Sequence, residues 1–178
     1  MAQSVEEAYL DEGLCTIEAE FFTEHLVVRG EVTSPEVRLS DHLNSSTSTF
    51  EVDPSRIHRT LGGSRADFKG SSAYINKSHL LFVLPIDETV AVRPAHDSWS
   101  QTITQRCWAA LGRYALVGKV HMEATRNPRF FLRSLERRQF LPFTDVRLTF
   151  PDGTTRDYPA VIVNRFQMEL LALESDAG

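Results

Sequence analysis

Five arginines fall within thirteen residues: Arg126, Arg129, Arg133, Arg137 and Arg138. They are interleaved with Phe130, Phe131, Leu132 and Leu135. On a helix, Arg126, Arg129, Arg133 and Arg137 would stand along one face, at i, i+3, i+7 and i+11. Guanidinium groups pair bidentately with carboxylates or phosphates. Three uses of the row stay open: a solvated face whose apolar side covers the core, a contact for an acidic protein segment, or a site for nucleic acid or phosphate. The start of the chain supplies the opposite charge, since Glu6, Glu7, Asp11, Glu12, Glu18 and Glu20 precede any Lys or Arg. Opposite patches on one chain can pair between copies. Self-association, or association with an acidic partner, is therefore expected through Arg129, Arg133 and Arg137.

The other reactive residue types are scattered. Six histidines, His25, His42, His58, His79, His96 and His121, form no HxH or HxxxH pair. No metal site is expected from them. Ser40-Asp41-His42 contains the residue types of a hydrolytic triad, but a triad is defined by spatial geometry and not by adjacency in sequence. Asp41 and Asn44 are expected instead to hydrogen-bond backbone groups of the loop that follows. Gly62-Gly63-Ser64 lacks the spacing and following helix of a phosphate loop and reads as a hairpin turn. Cys15 and Cys107 have no metal-like spacing, and both read as small core residues. No cofactor and no enzymatic activity are expected.

The elements that must position these residues read as one unit used twice. Val28-Arg29-Gly30-Glu31-Val32, followed by Arg38-Leu39-Ser40-Asp41-His42-Leu43-Asn44, is echoed by Val117-Gly118-Lys119-Val120 followed by Arg129 to Leu135. Gly30 and Gly118 lie 88 positions apart, as do Asn76 and Asn164. Between those anchors the offset drifts to 90, as in Phe50 with Phe140 and Gly63 with Gly153. Each asparagine leads into an apolar run, Leu80 to Leu84 or Met168 to Leu173. Two copies make a tandem protein and not a solenoid, which needs at least three.

Period-two alternation predicts strands over 15–33, with Leu26, Val28, Gly30 and Val32 on one face. A glycine inside a strand implies a bend or a close backbone approach. Residues 38–44 predict one or two helical turns, with Leu39 and Leu43 on one face and Ser40 and Asp41 as caps. A strand follows from Phe50 to Arg59. Residues 65–70 read as an exposed edge or loop. Ala73 to Leu84 reads as the strongest strand of the unit, bent at Asn76 to Ser78. Residues 102–122 repeat the opening strands, and Arg126 to Arg138 gives a second, more basic helix. Phe140 to Phe150 is a strand, Pro151-Asp152-Gly153 a turn, and Val161 to Leu173 the closing strand pair. The expected core is Leu26, Val28, Val32, Leu39, Leu43, Ile75, Leu81 and Val83, with Leu116, Val120, Leu132, Leu135, Val161, Val163 and Leu171 in the second unit.

The expected boundaries are an acidic N-terminal segment over 1–14, a first barrel over 15–86, a linker over 87–101, a second barrel over 102–173 and a disordered tail over 174–178. Units of about 75 residues sit near the lower limit for an independent core, so the two are expected to pack together. No apolar run approaches the roughly 20 residues of a spanning helix, so no membrane span is expected. The absence of a basic stretch at the start argues against a secretory signal and gives cytoplasmic as the expected location. A net charge of −5 argues against general nucleic-acid binding.

A unit with bent strands, an early short helix and the late strand Ile75-Asn76-Lys77-Ser78-His79-Leu80-Leu81-Phe82-Val83 resembles the Sm-like small β-barrel. Asn76-Lys77-Ser78-His79-Leu80 and Asn164-Arg165-Phe166-Gln167-Met168 look like the tight connection between the last two strands of such barrels. Arg38-Leu39-Ser40-Asp41-His42-Leu43-Asn44 is similar to the signature of an uncharacterised bacterial domain family with that strand pattern. The resemblance covers residues 16–86 and, more faintly, 103–173, where Ser40-Asp41 and Asn44 have no counterparts. It implies a mostly β protein of two tandem small Sm-like barrels packed together, each with a short helix after its first strands. Sm-like proteins commonly bind RNA, but this chain is acidic and shows no basic-aromatic nucleotide site. The expected structural motif residues are Gly30, Arg38, Asp41, Asn44, Asn76, Gly118 and Asn164. The function expected is that of a non-enzymatic interaction scaffold or adaptor subunit in a larger cytoplasmic assembly, with exposed strand edges open to a partner. The alternative is a nucleic-acid or nucleotide-binding protein using the Arg126 to Arg138 face.

Overall fold

Residues 15–34 fold as a hairpin because two alternating apolar stretches are joined by a threonine that closes the turn. Strand β1 is Cys15–Thr23 and β2 is Leu26–Ser34. Between them, the Leu26 N–H donates to Thr23 Oγ1 at 2.9 Å while the Thr23 hydroxyl donates to the Leu26 carbonyl at 3.1 Å. The computed structural model of the chain describes residues 14–36, 38–59, 65–66, 72–86, 102–123 and 138–174. Helix α1 (Leu39–Leu43) follows, then β3 (Thr49–Arg59), β4 (Arg65–Ala66), β5 (Ala73–Asn76), a 3-10 turn (Lys77–His79) and β6 (Leu80–Pro85). The second half runs β7 (Thr102–Leu111), β8 (Tyr114–Glu123), β9 (Phe140–Thr149), β10 (Thr155–Asn164), a 3-10 turn (Arg165–Gln167) and β11 (Leu170–Leu173). The expected linker over 87–101, the hairpin glycines Gly62 and Gly63, and the basic helix up to Arg137 lie outside the described residues.

The protein is mostly β, and among the described residues all strand pairs are antiparallel. One 11-stranded sheet runs β11-β7-β8-β9-β10-β6-β1-β2-β3-β4, with β5 beside β3. The sheet is not closed. The stretch from Ala73 to Leu84, read from sequence as one bent strand, is two strands with different neighbours. β5 pairs β3, whereas β6 pairs β1 and β10. The Lys77–His79 turn between them redirects the chain, so β5 and β6 do not pair with each other.

The opposite faces of this sheet bury two cores. One gathers Ile17, Phe21, Val28, Leu39, Leu43, Phe50 and Val83, and takes Phe140 and Ile162 from the second half. The other gathers Cys107, Leu116, Phe143, Leu148 and Val161, and takes Phe22, Val27, Leu81, Phe82 and Leu84 from the first. This exchange corrects part of the expected core. Val27 is buried because the second half covers the face that simple alternation leaves to solvent. Leu26, expected inside, is 39% exposed at the hairpin end. Leu171 is only half-buried. Leu132 and Leu135 lie outside the described residues. The pairing also moves one anchor: Phe50 stands opposite Ile75 and Leu141 opposite Val163, so Phe50 corresponds to Leu141 and not to Phe140.

Helix α1 is short and has Arg38 at its N-cap with no side-chain cap bond. Ser40 and Asp41 lie inside the helix and do not cap it. Packing holds α1 instead, through fully buried Leu39 and Leu43. Leu43→Ala is expected to lower stability by about 2–5 kcal/mol, read from a urea transition. A loss under about 0.5 kcal/mol would be incompatible with that burial.

Candidate functional site

The two halves meet where β10 lies beside β6, with Ile162 opposite Val83 and Val163 opposite Phe82. Three side chains consolidate this junction. Asn164 is fully buried. Its amide donates to the carbonyls of Lys77 at 3.1 Å and Leu80 at 2.8 Å, and its Oδ1 accepts the Phe166 N–H at 3.1 Å. Asn44 clamps the backbone of Phe140 from the other half: its Nδ2 donates to the Phe140 carbonyl at 2.8 Å, and its Oδ1 accepts the Phe140 N–H at 2.9 Å. The Gln167 amide donates to the Ser78 carbonyl at 2.6 Å.

These contacts correct the sequence expectation that Asp41 and Asn44 serve the loop after them. Asn44 reaches a residue 96 positions away. Asp41 lies 3.8 Å from the guanidinium of Arg138, a pair more than a third exposed on both sides; solvent screening limits what it contributes. Arg38 supplies its carbonyl to the N–H groups of Asp41 and His42 at the start of α1. Gly30 and Gly118 stand at matching irregularities, where the β2–β3 and β8–β9 registers shift. Asn76 caps the turn after β5 by accepting the Ser78 N–H at 2.9 Å. Of the arginine row, Arg138 is described, and Arg126, Arg129, Arg133 and Arg137 lie outside the described residues.

Lys77 carries a cation that sequence reading did not single out. It is almost fully buried. Its ammonium donates to the carbonyls of His42 at 3.3 Å and Ser45 at 3.2 Å, and to the hydroxyls of Ser45 at 2.9 Å and Thr47 at 3.3 Å. Burial pulls its pKa below the ordinary lysine value. Its partners are oxygens of the last turn of α1 and of the α1–β3 connection, so it pins that loop beneath the turn after β5.

The remaining reactive types are not brought together. His42 has a buried Nε2 without a hydrogen-bond partner and packs edge-on against Phe50 at 5.7 Å. Burial, and then the nearby Lys77 charge, lower its pKa. Asp41 faces Arg138, so Ser40-Asp41-His42 does not assemble as a relay. His121 Nε2 lies 2.7 Å from the Thr144 hydroxyl, and His25 is an exposed neighbour of Glu24. His96 lies outside the described residues. Among the described residues, no three His, Cys, Asp or Glu side chains converge as metal ligands. Burial raises the Cys107 thiol to about 11, far from a nucleophilic thiolate at neutral pH.

Open strand edges include those of β5 and β11. Among the described residues, β5 pairs only β3 and β11 pairs only β7. A cleft of about 920 Å3 opens beside β5, lined by Tyr74, Ile75, His79, Tyr114, Phe166 and Met168 among others. Large apolar side chains stand exposed there and on β11: Tyr74, Phe166, Leu170 and Leu173, with Trp108 on the adjacent β7. No family model, curated protein or solved structure matches the chain. The site must therefore be read from its own geometry. No helix among the described residues is long and apolar enough to cross a membrane. The free edges were detectable in the sequence only indirectly. The run Leu170 to Leu173 is wholly apolar, as is Leu80 to Leu84, and residue type alone does not say which of the two is covered.

Proposed function

We propose that the chain is a non-enzymatic interaction scaffold or adaptor subunit, built from a duplicated Sm-like unit, which takes a partner's strand on its open sheet edges. The observation that carries this reading is that β5 and β11, which bear exposed apolar side chains, each have one edge without a strand partner among the described residues. An edge strand presents a row of free backbone donors and acceptors, and apolar side chains beside it supply specificity for an added strand. Duplication is supported by the matched runs β6-β1-β2-β3-β5 and β11-β7-β8-β9-β10. It is supported further by the two bulge glycines and by the two asparagine-capped turns.

Isolation of the tagged chain from its native cells, followed by identification of the proteins retained, tests the reading. Tyr74→Asp and Leu170→Asp place a charge on each edge at exposed positions, where the fold should tolerate it. A specific protein retained by the unaltered chain should fall at least about tenfold with one or both variants, since a charge opposite apolar neighbours costs about 1.4 kcal/mol or more. Equal retention by both variants would defeat the edge reading. Retention of nucleic acid that falls steeply with salt would favour the Arg126 to Arg138 face instead.

A further inference from the structure

Helix α1 has little of its own to keep it in place. It spans five residues and has no side-chain bond at its N-cap. A helix that short does not persist in water by itself. It stays formed only while its side chains are held. Leu39 and Leu43 hold one face in the core. At the other end, three contacts converge. Asn44 clamps both backbone groups of Phe140 in the second half. Lys77 donates to the His42 carbonyl from the turn after β5. The His42 ring stands edge-on to Phe50 of β3, with centroids 5.7 Å apart.

His42 is the weak member of this set. Its Nε2 is buried and has no hydrogen-bond partner. A neutral imidazole tolerates that, whereas an imidazolium would bury both a charge and an N–H without an acceptor. The neighbours offer no relief. The charged groups that act on the ring are Lys77, from the turn after β5, and Glu36, from the segment ahead of α1. The Lys77 ammonium is almost fully buried and repels a second cation. Glu36 is exposed, and water screens its attraction. Asp41, on α1 itself, lies against Arg138. β3 contributes the Phe50 ring, and the α1–β3 connection contributes the Ser45 and Thr47 hydroxyls, which already accept from Lys77. The site therefore suits the neutral ring alone.

We propose that His42 is an acid-operated release for α1: once protonated, its ring leaves the interior, α1 separates from β3, and the Asn44 clamp on Phe140 is let go. The ring as a whole is only partly buried, so its exit requires movement of α1 and not of the sheet. In water the ring takes its proton near the ordinary histidine value of about 6.5. Held in place it does so only at lower pH, because burial and then Lys77 oppose the charge. His42 therefore leaves the latch unaffected by pH well above 6.5 and weakens it as pH falls below that value. With one proton taken up on release, the opening constant rises by up to about tenfold per pH unit. Carboxylates, with ordinary values of about 4, are still ionised where this loosening begins, so it precedes general acid unfolding. It is also confined to α1, the α1–β3 connection and the Phe140 contact.

Nuclear magnetic resonance of the full chain between pH 8 and 5 tests this. The His42 imidazole should titrate below its ordinary value. The Phe140 N–H, held by Asn44 Oδ1, should lose exchange protection below pH 6.5 by up to about tenfold per pH unit after correction for intrinsic exchange. Amides in the middle of β9 and β10 should keep theirs over the same range. His42→Phe retains a ring beside Phe50 and has no nitrogen to protonate, so its Phe140 protection should not change with pH. If that variant fails to fold, the titration and exchange of the unaltered chain decide the matter. A His42 that titrates at or above 6.5 in the folded protein overturns the proposal. So does a loss of protection shared equally by the strand amides, or a His42→Phe chain that loosens in acid as the unaltered one does.

Discussion

Gly30→Ala should destabilise the protein by about 3 kcal/mol or more, and Gly118→Ala by about half as much, on the scale of overpacking costs. The two glycines occupy matching bulges, and neither has the positive φ that would make a side chain costly for conformational reasons. The cost is therefore steric. A Cβ on Gly30 would lie 2.4 Å from the Asp53 carbonyl oxygen, 2.6 Å from Val52 Cγ1 and 2.9 Å from Pro54 Cα. Two of those atoms belong to the backbone of β3 at the point where the β2–β3 register shifts. They can yield only if the strand moves. A Cβ on Gly118 meets Val146 Cγ2 at 2.8 Å and the Thr144 carbonyl at 3.2 Å; its tightest contact is a side-chain methyl. Urea transitions of both variants test the order. A Gly30→Ala midpoint within about 0.5 kcal/mol of the unaltered chain, or a Gly118→Ala that costs more, would mean that the close strand approach at the bulge does not hold.

The glycine spacing could be read because a close backbone approach is a local demand and leaves a local mark. The strand alternation, the Thr23 turn, the Pro151-Asp152-Gly153 turn and the asparagines before the two apolar runs are legible for the same reason. What sequence could not supply were partners distant along the chain. Asn44 has the composition of a local loop residue, and nothing near it indicates that its amide clamps Phe140. Leu26 and Val27 are equally apolar. Which one is covered depends on a second half that packs on the far face of the first, and alternation assumes that face is wet. The Phe50 and Phe140 anchor fails by one residue because a slip of one reverses every side chain to the other face. Only the pairing of β3 with β5 and of β9 with β10 decides it. Lys77 gave no signal because its four oxygen partners come from α1 and the α1–β3 connection and not from its own neighbourhood.

Asn164→Ala should cost about 3–5 kcal/mol, whereas the same change at its counterpart, Asn76→Ala, should cost about 1 kcal/mol or less. Both side chains accept the N–H two residues on and so cap a 3-10 turn. A helix-cap asparagine contributes about 1 kcal/mol relative to alanine, and that share is common to both. Asn164 in addition satisfies the Lys77 and Leu80 carbonyls across the junction in a fully buried position. Removing its amide strands those acceptors, and each buried group left without a partner costs about 1–3 kcal/mol. Asn76 is exposed in the single chain, so water replaces whatever its amide loses. Urea transitions recorded where the light-scattering mass is that of one chain separate the two variants. Equal losses would mean that the junction does not depend on the buried amide. A buried amide needed for stability at one turn and an exposed, dispensable one at the other is the behaviour expected of a turn cap that also serves a strand junction only where the other half covers it.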